Sequence, residues 1–101
     1  MNMLQAQIFI DMDELKGTRP LYDYIMHFLA EQGIVGATTF KGHEGFGKNH
    51  QIKRPTDLFS FDEPPILIMF IDDEAKVRAA ISLLRQEVKN AFITVHPIEK
   101  L

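Results

Sequence analysis

The stretch FKGHEGFGKNHQIKRPTD, residues 40–57, holds the residues best suited to chemistry. Three glycines (Gly42, Gly45, Gly47) let backbone N–H groups come close to an anion and reach positive φ. From Lys41 to Arg54 four positive side chains (Lys41, Lys48, Lys53, Arg54) stand against Glu44 alone, so that span is +3 in a chain whose net charge is −3. A local basic patch on an acidic protein favours a small anionic ligand there. The overall charge argues against general nucleic-acid binding. The bland alternative is a solvated loop whose lysines serve solubility.

Other constellations are weaker. His43, Glu44 and His50 could be metal ligands, but their spacing matches no zinc signature and no metal site is assigned. Asp11, Asp13 and Glu14 cluster after an apolar run. Paired carboxylates can do acid–base work, but in a turn they are more often solvated. Ser60 and Ser82 are the only serines and cysteine is absent, so no nucleophile with a nearby base is legible and no enzyme is expected. No disulfide framework is possible. Phe46 can stack on a ligand base or anchor the loop; Phe59 and Phe61 read as anchors. Nothing names a cofactor.

These residues need elements to hold them. The 101 residues suit one domain over 1–101, and the 46% apolar and 25% charged fractions are those of a soluble one. Leu4, Ala6, Ile8 and Ile10 alternate with Gln5, Gln7 and Phe9, the period of a strand. A polar connection, DMDELKGTRP, follows. Pro20 opens a helix on which Leu21, Tyr24, Ile25, Phe28 and Leu29 recur, with Gly33 as its C-terminal cap. Ile34 to Lys41 reads as a second strand. Pro64 and Pro65 block regular structure, and ILIMFI, apolar on both faces, reads as a central strand. Asp72 or Asp73 would cap a second helix with Val77, Ala80, Ile81, Leu84 and Val88 inward. Phe92 to His96 forms the last strand, ended by Pro97.

The order strand, helix, strand, strand, helix, strand is the ferredoxin-like βαββαβ plan, an α+β fold with two helices on one face of an antiparallel sheet. Phe9 would face away from the helices. An uncovered sheet face in so small a domain points to self-association; His96 could point into an oligomer interface, but nothing in the sequence says so. His27 lies beside the apolar helix stripe as a surface or packing residue. The connection between strands two and three is far longer than a hairpin needs, and such loops usually carry function. The longest apolar run, Ile66 to Ile71, is too short for a membrane span, and the N-terminus lacks the pattern of a signal peptide.

The stretch RPLYDYIMHFLAEQGIVGATTFKGHEGFGK resembles the PII-like proteins of the domain-of-unknown-function family 190. The likeness extends over essentially the whole chain, including PPILIMFIDDEAKV. It implies a relative of the nitrogen regulatory PII proteins, which are cytoplasmic signalling homotrimers with adenine nucleotides in their inter-subunit clefts. In those proteins a GFGRQ segment at the base of the long T-loop cradles phosphates. Gly45, Phe46, Gly47 and Lys48 occupy that pattern here, with Lys41 and Arg54 as further candidates. The resemblance implies a homotrimer whose 43–63 loop engages a partner protein or membrane transporter. Two features depart from PII proteins. QEVKNAFITV replaces the glycine-rich segment before their last strand, and Tyr22 and Tyr24 lie on the first helix, so a T-loop tyrosine switch does not carry over. The rival reading is a metal-binding or purely structural trimer related to the divalent-cation tolerance proteins.

Overall fold

The computed structural model describes residues 2–46 and 65–101. Strand β1 (Met3–Asp11) leads through two short strands, β2 (Leu15–Lys16) and β3 (Arg19–Pro20), into helix α1 (Leu21–Glu31). Then come β4 (Ala37–Lys41), β5 (Pro65–Asp73), α2 (Glu74–Glu87) and β6 (Phe92–Ile98). The four long strands form one antiparallel sheet in the order β4-β5-β1-β6. This is the ferredoxin-like plan, with the first and third long strands central as the sequence predicts.

The pleat sorts the residues. Leu4, Ala6, Ile8 and Ile10 of β1 and Ile66, Ile68 and Phe70 of β5 are buried against the helices. Leu21, Ile25 and Leu29 of α1 and Val77, Ala80 and Leu84 of α2 meet them. Each of the larger of these side chains, the alanines aside, contributes about 1.5–3 kcal/mol by leaving water. The alternate residues Gln5, Gln7, Phe9, Leu67, Met69 and Ile71 lie on the other face, which no element among the described residues covers.

Helix α1 stops where Gly33 reaches φ 78, with N–H donors of Gly33 and Ile34 on the carbonyls of Ala30 and Leu29. Here the second strand departs from expectation. It begins at Ala37 because Ile34 and Val35 are held in this turn. The expected cap also works differently. Asp73 is the N-cap of α2 but makes no side-chain cap bond. Asp72 instead points inward, where Oδ2 accepts the Val35 N–H at 2.9 Å and Oδ1 the Asp73 N–H at 2.7 Å. Lys76 Nζ lies 3.3 Å from the same carboxylate and donates to the Gly33 carbonyl at 2.6 Å. The carboxylate thus fastens the α1–β4 turn to the start of α2.

Proline proves less disruptive than expected. Pro65 is the first residue of β5, where a missing N–H is tolerated. Pro97 does not end β6; the strand runs to Ile98, because β6 lies at the sheet edge. The polar connection after β1 contains the β2–β3 ribbon, turned at Gly17 with φ 65. Its Lys16 reaches across to the Glu87 carbonyl at 2.6 Å, at the end of α2.

Candidate functional site

Where β1 ends and β5 and β6 begin, the uncovered face dips into a cavity of about 1310 Å³. That exceeds the ~300–1,000 Å³ of an ordinary small-molecule pocket, as befits a depression open on one side. Phe9, Phe40, Phe46 and Phe92 line it with Leu67 and Pro65. The sheet register explains three of the rings. Phe9 pairs with both Phe92 and Leu67, and Leu67 pairs with Phe40, so four apolar side chains form one row across the open face. The Phe9 and Phe92 rings sit 5.7 Å apart, tilted by 54°.

The floor is acidic. Asp11, Glu14 and Glu44 all line the cavity. Glu14 fixes the corner through its carboxylate, which accepts the Asp11 N–H at 2.7 Å, and its carbonyl, which accepts the Leu21 N–H at 2.8 Å. The carboxylates read from the sequence as a solvated turn therefore border the cavity, except for Asp13.

Of the predicted ligand-binding residues, Gly45 and Phe46 line the cavity. Lys41 is exposed, and its register with Ile66 puts it on the helix side of the sheet, apart from the cavity lining. Gly47, Lys48 and Arg54 lie outside the described residues, as do His50, Phe59 and Phe61. Among the described glycines only Gly17 and Gly33 have positive φ, so Gly45 is not there for backbone handedness. Its reason is contact: a Cβ at Gly45 would stand 3.1 Å from Cγ of Pro65. Among the described residues no three His, Asp or Glu side chains gather as a metal-ligand set. His27 is exposed, with Nδ1 2.9 Å from the Asp23 carbonyl.

Sequence reading missed Phe40 and Phe92 as partners of Phe9. Period two told that Phe9 faces away from the helices. Which residues join it depends on strand register, which no local pattern carries.

Fold and cavity together define a ferredoxin-like domain with a long insertion entered beside a depression on the open face of its sheet. The family profile described as "Uncharacterized ACR", DUF190, matches residues 3–100, and the chain belongs to that family. A UPF0166 protein of Aquifex aeolicus is 28% identical over 93 residues, covering 92% of this chain and 88% of the relative. The structure of CPII from Thiomonas intermedia, a nitrogen regulatory PII-like protein bound to ADP and bicarbonate, superposes with a TM-score of 0.68 at 17% identity. The match covers 97% of this chain and 87% of CPII. The divalent ion tolerance protein from Ehrlichia chaffeensis is similar with a TM-score of 0.64 at 12% identity, covering 99% of this chain and 84% of that one. At these identities the likeness to the solved structures speaks for the fold alone. No helix among the described residues is long and apolar enough to cross a membrane.

Proposed function

We propose that the chain is a non-enzymatic, PII-like regulatory protein of the cytoplasm. It folds as one domain, assembles as a homotrimer through the open sheet face, and binds a small anionic effector in the clefts between subunits. A nucleotide is the leading candidate. Binding orders the 43–63 loop, which then engages a partner protein or membrane transporter.

The observation that carries this reading is the cavity itself. It lies at the entry to the long loop and is lined by Gly45 and Phe46; in this reading a second copy on the open face completes it. CPII, with the same fold, holds ADP and bicarbonate. Charge sets the direction of the effector. Asp11, Glu14 and Glu44 repel phosphate, so the anionic end belongs away from them, and Lys48 and Arg54, outside the described residues, are its proposed cations. The phenylalanines then take the apolar end.

A second reading has its own support. Gly42 and Gly45 both rest on Pro65, the arrangement a structural strut would show, and the fold is shared with a divalent ion tolerance protein. In that reading the loop only locks subunits together or holds a metal. A thermal-shift panel decides between them. Stabilisation by ADP or bicarbonate is expected; stabilisation by copper or zinc alone would reverse the assignment. Gly47→Val sharpens the choice, since it should abolish effector binding and leave the trimer intact if the loop is a site. If the loop is a strut, the trimer should dissociate.

A further inference from the structure

We propose that Glu14 sets the specificity of the cavity, admitting an effector whose ring-bearing end carries an N–H donor and disfavouring one without it. The inference rests on the reading above that a nucleotide binds there with its apolar end on the phenylalanines.

Glu14 stands between β1 and β2 and is held at three points. Its N–H donates to the Asp11 carbonyl at 3.2 Å, and its carbonyl accepts the Leu21 N–H at 2.8 Å. Its Oε2 accepts the Asp11 N–H at 2.7 Å. The carboxylate is therefore in place before any ligand arrives, and a ligand need not order it. Among the described residues the second oxygen, Oε1, has no partner. An ionised carboxylate only accepts, so Oε1 answers to a donor and to nothing else.

Register sets this corner beside the aromatic row. Phe9 and Asp11 lie two residues apart on β1, both on the open face, a step of about 6.6 Å along a strand. Their partners on β5, Leu67 and Pro65, keep the same step. All four residues and Glu14 line one cavity. A flat ring lying over Phe9 thus turns one edge to the Asp11–Glu14 corner.

The other groups of the lining do not make the choice. The phenylalanines take any flat ring. Asp11 and Glu44 each make a further interaction of their own. Asn90 is exposed, and its carboxamide both donates and accepts, so it suits either kind of ring. A ring edge that carries only C–H or an acceptor strips water from Oε1 and returns no hydrogen bond.

The test is titration calorimetry of the full chain with ADP and with purine riboside diphosphate, which lacks only the amino group of the ring. The two carry the same phosphates, so their affinity ratio is free of the repulsion from the acidic floor. Wild type should bind ADP at least about tenfold more tightly, the scale of a hydrogen bond to a charged group. In Glu14→Gln the Asp11 N–H keeps the amide oxygen, so the amide nitrogen takes the place of Oε1 and sets a donor against the amino group. ADP should then lose its advantage, while any change common to both nucleotides belongs to the lost charge. Equal wild-type affinities overturn the proposal, as does a ratio in Glu14→Gln as large as that of wild type. The wild-type ratio decides by itself if the variant does not fold. A wild-type chain that binds neither nucleotide overturns the nucleotide reading itself, and this inference with it.

Discussion

Gly42 sits directly on Pro65. Its N–H donates to the Pro65 carbonyl at 2.7 Å, and a Cβ there would come 2.7 Å from Pro65 Cγ and 3.1 Å from that carbonyl oxygen. The two ends of the long insertion are thereby stitched together one residue beyond β4. Gly42→Ala forces either the ring or the backbone away. It should destabilise the chain by about 1–3 kcal/mol, the scale of an overpacked contact. Gly45→Ala meets only the ring, at 3.1 Å, and should cost less. Urea titrations of both variants check the order; an unchanged midpoint for Gly42→Ala would show that the stitch carries no stability.

Asp72 should govern the acid limb of stability. Burial alone raises its carboxyl, but the hydrogen bonds from Asp73 and Val35 and the nearby Lys76 ammonium outweigh that and hold it below the ordinary carboxylate value. A lowered folded-state value means its contribution is complete above the ordinary carboxylate range and fades as pH falls through and below it. Asp72→Ala leaves the Val35 N–H without its acceptor. It should cost about 1–3 kcal/mol at neutral pH and flatten the acid limb. Thermal melts across pH read both effects, and an acid limb as steep as wild type would refute the assignment.

Lys48 is the expected cation for the effector. Lys48→Ala should weaken ADP binding by about 1–3 kcal/mol, the scale of a lost charge-assisted hydrogen bond, and flatten its salt dependence. Calorimetry at two ionic strengths tests it. Equal affinity for both proteins would move the phosphate site elsewhere.

The acidic floor predicts the opposite change. Glu44→Gln removes a negative charge from the cavity lining and should tighten binding of an anionic effector a few-fold at low salt, less at high salt. Weaker binding would mean that the carboxylate accepts hydrogen bonds from the ligand.

Phe92 is 65% exposed in the single chain, so a polar residue there costs the monomer little. Phe92→Glu should keep the helix content and give a particle near 11.6 kDa, where wild type is expected to scatter as a trimer. Wild-type light scattering at 11.6 kDa would itself remove the shared-cleft reading.

Local pattern determined the elements, because amphipathic period is a property of neighbours in the chain. The alternation of Leu4, Ala6, Ile8 and Ile10 told which face of β1 is buried. Gly33 marked the end of α1 through a backbone angle that glycine readily supplies. The glycine-bearing GFGK, recognisable as a string, led to the cavity through Gly45 and Phe46. What the tertiary structure decided are relations between distant strands. Asp72 reads as a cap until the α1–β4 turn is brought within 2.9 Å of it. Phe40 and Phe92 flank Phe9 and Leu67 only once register is set, and register is fixed by packing across the whole sheet. Pro97 looks like a strand end until β6 is known to lie at the edge, where a missing donor costs no ladder bond. Gly45 shows most plainly where a string stops informing: its type was legible, but its reason, the ring of Pro65 against it, exists only in three dimensions.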